Sequence, residues 1–191
     1  MPRSREQNEK LREESKTKIL QKSIPFFAKN GNNGTTISDL TKGIGISQGA
    51  LYVYFNGKED LYNNVVLFAL EKIASEELMK IEEMDVPAIR KLRYVTDYLL
   101  KNISEEKSYC HYMKLALERR ACGLSKDDNV LYKMMRAIIK EGQKDGAFAK
   151  GDVEKTTDYF WSMVYIFSTK KCNDPKCAML TSSELERVVR G

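Results

Sequence analysis

Apolar residues recur along this chain at the three- and four-residue intervals of α-helices. No stretch alternates apolar and polar residues with the period of a half-buried strand. Leu20, Ile24 and Phe27 fall at i, i+4 and i+7, and Leu131, Met134, Met135, Ile138, Ile139 and Gly142 extend the same spacing to i+11. Phe160, Met163, Val164 and Phe167 repeat the stripe. The pattern predicts an all-α protein.

Turn-forming residues set the breaks. Asn30-Gly31-Asn32-Asn33-Gly34 ends the first helix, since Asn and Gly tolerate positive φ. Thr36 offers an N-cap hydroxyl with Asp39 three residues on, an approximate capping box. Asn56 and Glu59 repeat it, with Glu59 and Asp60 placed for the first turn of the next helix. Later breaks fall at Asp85-Val86-Pro87, at residues 123–128, at residues 146–152 and at Asn173-Asp174-Pro175. About nine helices result. Pro25 stands inside the first of them, where its missing N–H predicts a kink.

Two of these helices, Ile37–Ile44 and residues 48–55, are short and three residues apart, with Gly45 in the turn between them. A short helix, a tight turn and a second short helix form a helix-turn-helix. Ile37, Leu40, Ile44 and Ile46 bury inward, joined by Ala50, Leu51 and Phe55, which leaves Gln48, Gly49, Tyr52 and Tyr54 outside. That outer face suits nucleic acid. Gln pairs with base edges, glycine allows close approach, and tyrosine hydroxyls bond phosphate oxygens. Gly43, Gly45 and Gly49 do not form a dinucleotide loop, because their spacing is one residue too long and no strand precedes them.

Composition and charge sharpen this picture. With 191 residues, 42% hydrophobic and 31% charged, 4 Pro and 11 Gly, the chain is an ordinary globular sequence that needs neither disulfide nor metal to hold a core. The longest apolar stretch, residues 65–70, is far short of the ~18 to 20 residues of a membrane span. The first twenty residues alternate basic and acidic groups without the apolar region of a secretory signal, so a cytoplasmic chain with no membrane association is expected. The formal net charge is +5. Between residues 16 and 58 the basic residues are Lys16, Lys18, Lys22, Lys29, Lys42 and Lys58, and the acidic one is Asp39. The whole excess therefore fits in the window holding the helix-turn-helix, which favours a polyanionic partner.

The runs Thr35-Thr36-Ile37-Ser38-Asp39-Leu40, Gly45-Ile46-Ser47-Gln48-Gly49-Ala50-Leu51-Tyr52-Val53-Tyr54-Phe55 and Lys58-Glu59-Asp60-Leu61 resemble, in order and spacing, the DNA-binding domain of the TetR (tetracycline repressor) family. The resemblance covers residues 16–66. It implies that Thr36 touches phosphate at the start of the second helix and that Gln48 and Gly49, following Ser47, lie against base edges. It also implies that Tyr52 and Tyr54 grip the backbone and that Lys58 meets a phosphate. A lysine on the first turn of a helix also has an independent physical basis as an anion contact. Thr41 and Ile44 depart from the pattern, standing where the family usually carries alanine.

The resemblance further implies a DNA-binding domain over residues 1–60 and a helical ligand-binding and dimerisation domain over residues 61–191, with helices 153–171 and 181–190 in the dimer bundle. The segment from Ile138 through Gly146-Ala147-Phe148 to Gly151-Asp152 is similar to a recurrent part of that domain. Tyr94, Tyr98, Tyr109, Tyr112, Met113, Met134, Phe160, Trp161, Met163 and Phe167 are candidate lining for an adaptable apolar pocket. Cys110, Cys122, Cys172 and Cys177 are irregularly spaced. Cys110 and His111, adjacent on a helix, point about 100° apart. With one histidine and no CxxC pair, neither a catalytic dyad nor a metal site is expected, and no cofactor.

The expected function is a ligand-responsive regulator of transcription, a repressor and not an enzyme. Its partners are double-stranded operator DNA, a second copy of the chain and a small apolar or aromatic effector. The alternatives are a cytosolic helical carrier or enzyme without DNA binding, and a regulator that senses redox state through its cysteines.

Overall fold

The computed structural model describes residues 4–121 and 129–190. The expected break at residues 123–128, and Cys122, lie outside them. Ten helices and no strand occur among the described residues: α1 (Arg5–Asn30), α2 (Ile37–Ile44), α3 (Gln48–Tyr52), α4 (Lys58–Ile73), α5 (Glu76–Glu83), α6 (Ala88–Glu105), α7 (Lys107–Ala121), α8 (Val130–Lys144), α9 (Val153–Asn173) and α10 (Ser182–Arg190). The protein is all-α. The number exceeds about nine because two breaks carry neither Gly nor Pro. One is the N-cap Ser75, whose hydroxyl accepts from the Leu78 N–H; the other is Glu106, whose extended backbone alone separates α6 from α7.

The chain divides into two compact units, Met1–Ala69 and Leu70–Gly191. In the first, Ser4 and Gln7 close a capping box at the start of α1, and the helix runs on through Pro25 to a cap at Gly31. Ile24 and Phe27 of α1, Leu40 and Ile44 of α2, Leu51 of α3, Phe55, and Leu61 and Val65 of α4 are buried. Phe27 meets Tyr62 edge to face at 5.1 Å. Ile37, Ile46 and Ala50, expected inside, are half-buried. Gly43 allows α2 to lie close to α1, since a Cβ there would fall 1.9 Å from Cζ of Phe26.

In the second unit α7 packs along α9, and α6 packs on α7, α8 and α10. The stripe read on α8 is buried throughout: Leu131, Met134, Met135, Ile138, Ile139 and Gly142 all face the core, with Phe160, Trp161 and Val164 of α9. Glu186 of α10 is wholly buried yet paired, accepting two hydrogen bonds from Arg93 at 2.8 and 2.9 Å. A buried carboxylate requires such a partner.

Candidate nucleic-acid interface

Local chemistry shapes the helix-turn-helix. Thr36 caps α2, its hydroxyl accepting from the Asp39 N–H at 3.1 Å and donating to Asp39 Oδ2 at 2.8 Å. At the other end Gly45 takes φ 77°, and the N–H groups of Gly45 and Ile46 both bond the Thr41 carbonyl at 3.0 Å. This reverses the chain in one residue, a conformation that excludes most side chains. Lys22 Nζ donates to the Ile44 carbonyl at 3.2 Å, placing a cation at the negative end of α2. Ser47 then caps α3 by accepting from the Ala50 N–H at 3.0 Å. The helix ends at Tyr52 rather than residue 55, because the N–H groups of Tyr54 and Phe55 both turn back to the Leu51 carbonyl.

On α3, Leu51 is the buried anchor, while Ser47, Gln48 and Gly49 are exposed and Tyr52 and Val53 are 55% and 60% exposed. Tyr54 is half-buried. The side chains of Gln48, Tyr52 and Tyr54 make no hydrogen bond among the described residues. At Gly49 an added Cβ would meet only Ser47 Oγ, at 3.9 Å. The fold therefore does not require glycine there, and the effect of its small size is a low outer surface on α3.

The start of α4 departs from the expected Asn56–Glu59 pairing. Gly57, at φ 131°, becomes the cap residue, which shifts the frame by one, and Asp60 accepts from the Asn56 N–H at 2.8 Å. Glu59 instead receives the Asn32 side-chain amide at 2.8 Å, and Lys58 Nζ donates to the Asn32 carbonyl at 2.8 Å. Thr36 is exposed and Lys58 half-buried. The sequence reading missed a contribution from α1: Arg12 donates to the Val53 carbonyl at 3.3 Å, and Arg12 and Lys16 line a cleft of about 470 Å³ with Glu9, Glu13 and Tyr54. Their i, i+4 spacing on a helix was the available signal.

In the second unit the candidate pocket residues separate. Tyr109, Met113, Met134, Phe160 and Trp161 are buried, Tyr98, Tyr112, Met163 and Phe167 are half-buried, and Tyr94 is exposed. Tyr94 and Tyr98 line a cleft of about 400 Å³ between α5 and α6, with Ile81, Met84, Asp97 and Lys101 also at its wall. Tyr98 is fixed by a 2.7 Å hydrogen bond to Ser75. Deeper in, Trp161 packs against Phe160 and Tyr132 at 5.1 and 5.9 Å, and the Arg120 guanidinium lies 4.1 Å over the Tyr132 ring. The Tyr109 hydroxyl and Trp161 Nε1 are buried without a hydrogen-bond partner among the described residues. Burial pushes the Tyr109 and Tyr132 phenols above their usual range.

Cys110 and His111 do not diverge as helix geometry alone predicts: their side chains converge with Cys172 of α9. Cys110 Sγ donates to the Lys107 carbonyl at 3.2 Å, the neighbouring Cys172 thiol lowers Cys110 from its ordinary value, and the same neighbour, with burial, raises Cys172. Burial, then Lys107 and Lys114, hold His111 below its ordinary value.

Residues 19–65 match the family of bacterial regulatory proteins described as the tetR family. The biofilm operon icaADBC HTH-type negative transcriptional regulator IcaR of Staphylococcus epidermidis is 35% identical over 51 residues, 27% of this chain and 28% of that protein. IcaR of Staphylococcus aureus is 29% identical over 115 residues, 49% of this chain and 57% of that protein. The alignments thus span from about a quarter to little more than half of these relatives' length. Among solved structures, AibR in complex with isovaleryl coenzyme A and operator DNA superposes with a TM-score of 0.65 at 12% identity, covering 90% of this chain and 94% of that one. At that identity the likeness concerns the fold. No helix of the described residues is long and apolar enough to cross a membrane.

Proposed function

The chain belongs, through residues 19–65, to the tetR family of bacterial regulatory proteins, and on that premise we propose that it is a cytoplasmic transcriptional repressor. It binds a palindromic operator as a homodimer and releases it when a small apolar or aromatic effector occupies the C-terminal domain. Residues 1–60 read DNA and residues 61–191 hold the effector and the second copy.

The observation that carries this reading is the outer face of α3. Gln48 and Gly49 begin a helix whose exposed side chains have no intramolecular task and whose glycine answers no packing demand. Set in a major groove, Gln48 presents an amide that pairs with a base edge, and Gly49 lets the backbone approach. Tyr52 and Tyr54 reach phosphates on one side of the groove, and Lys58, Thr36 and Ser47 reach them from the starts of α4, α2 and α3. A phosphate near Thr36 accepts the hydrogen bond that the hydroxyl now gives to Asp39.

The negative regulation named for IcaR and the operator complex named for AibR support repression and effector control. The half-buried Tyr98 and the exposed Tyr94 support an effector site at the α5–α6 cleft, whose wall also offers polar contacts from Asp97, Lys101 and Asn102.

The deciding experiment is titration of the full chain onto labelled DNA from upstream of its own gene, against a scrambled duplex. Preference for the upstream duplex is expected. Gln48→Ala should weaken it by about 1 to 3 kcal/mol and relax one position of each half-site. Equal binding of both duplexes overturns the reading.

A further inference from the structure

In a chain with four cysteines and one histidine, two of the cysteines and the histidine meet at one point. Cys110 and His111 lie in the first turns of α7, and Cys172 lies at the end of α9. One donor atom from each of the three lies within 4.8 Å of the other two. They open on a cleft of about 190 Å³ whose wall also carries Lys107, Lys171 and Pro175.

We propose that Cys110, His111 and Cys172 form a binding site for one zinc-class divalent cation, with the fourth coordination position open to this cleft. Two thiolates and an imidazole are the donor set that borderline-soft cations prefer over the oxygen-loving magnesium and calcium. In a tetrahedral zinc site, metal–sulfur bonds of ~2.3 Å and metal–nitrogen bonds of ~2.0 Å place donors about 3.5 to 3.8 Å apart. Donors already within 4.8 Å of one another need to close by only about an ångström to reach that arrangement. Two thiolates balance the charge of a divalent cation, and the cleft wall, which carries Glu105 as well as Lys107 and Lys171, leaves room for an anionic or neutral fourth ligand. The site joins α7 to α9, helices that already pack along one another, so the cation cross-links two segments about sixty residues apart in sequence without rearranging the fold.

The test uses the full chain, reduced, stripped with a chelator and titrated with Co²⁺ as a spectroscopic stand-in for Zn²⁺. The expected result is one ion per chain, with thiolate-to-cobalt charge transfer in the near ultraviolet and the visible bands of a tetrahedral site, both displaced by one equivalent of Zn²⁺. Cys110 is buried and Cys110→Ser risks misfolding, so the half-buried Cys172→Ser and His111→Ala carry the test. With circular dichroism unchanged, each should weaken Co²⁺ binding by at least the roughly 10- to 100-fold that loss of an outer-shell partner costs, and Cys172→Ser should lower the charge-transfer intensity while Cys177→Ser leaves it intact. A spectrum without thiolate character, or one unaltered in Cys172→Ser and His111→Ala, overturns the proposal. So does a reduced chain that takes up neither ion and forms only a Cys110–Cys172 disulfide in air.

Discussion

The ring of Phe148 occupies the space beside Gly142 that any side chain there would need: a Cβ on Gly142 would lie 2.2 Å from Cδ2 and 2.3 Å from Cε2 of the ring. The Phe148 N–H also bonds the Gly142 carbonyl at 2.9 Å, and the ring is buried, so it cannot swing aside into solvent. The turn after α8 is thereby closed onto the helix it leaves.

Gly142→Ala should therefore destabilise the protein although alanine is the better helix former. The helix gains about 0.5 to 1 kcal/mol, whereas overpacking against a buried ring costs about 1 to 3 kcal/mol. The difference, centred on a net loss of about 1 kcal/mol, corresponds to a fall in Tm of roughly 2 to 4 °C for a chain of this size. A thermal melt in which Gly142→Ala is as stable as the parent would show that Phe148 yields.

What the sequence discloses depends on how local the governing physics is. The helix-turn-helix was legible because its caps, Thr36 and Ser47, and its reversal, Gly45, act within three or four residues of themselves. The α8 stripe was legible because burial on one face imposes a period. The breaks at Ser75 and Glu106 were missed, since a serine cap or one extended residue leaves no Gly or Pro behind. The meeting of Cys110 and His111 with Cys172 could not be read at all, because it follows from the packing of α7 on α9. Hydrophobic periodicity likewise does not separate core from pocket lining. Of ten candidate pocket residues, Tyr94 and Tyr98 line the α5–α6 cleft, while Met113, Met134 and Phe160 fill the core.

Trp161 shows how that ambiguity affects an experiment. It is fully buried, so Trp161→Ala should cost about 3 to 5 kcal/mol and tests folding rather than ligand choice. Trp161→Phe removes an N–H that has no partner among the described residues, sparing its desolvation penalty, and leaves a smaller void. The Phe variant should retain most of the parent's denaturant midpoint and the Ala variant should not. If an aromatic compound stabilises the parent in a thermal-shift screen, loss of that shift in Trp161→Phe places the indole N–H against the ligand, and an unchanged shift removes it.

The homodimer expectation also has a surface to examine. Tyr159 and Ile166, seven residues apart on α9, are 61% and 43% exposed, which puts two large apolar side chains on one face of a long helix. If that face pairs with its copy across a two-fold axis, light scattering at micromolar concentration should give about twice the 22.0 kDa of one chain. Ile166→Asp should then shift the population toward the monomer and weaken operator binding without altering the circular dichroism of the helices. A parent that scatters as a single chain, or a dimer indifferent to Ile166→Asp, would rule this face out.

Lys58 offers the most discriminating measurement on DNA. Its ammonium gives one of three donors to the Asn32 carbonyl, which fixes the side chain beside the start of α4 and leaves two donors for an anion. A phosphate held there displaces condensed counterions, so each contact adds about 0.9 to the slope of log affinity against log salt. Lys58→Ala should reduce that slope by about 1.8 for a dimer with one contact per protomer and weaken operator and scrambled duplex by the same factor. Gln48→Ala should do the opposite, leaving the slope intact and narrowing the gap between the two duplexes. The same Lys58→Ala protein also loses its tie to Asn32, so its melting curve must be recorded alongside. A slope equal to the parent's, with a lowered Tm, would make Lys58 a brace for the loop between α1 and α2 and take it out of the interface.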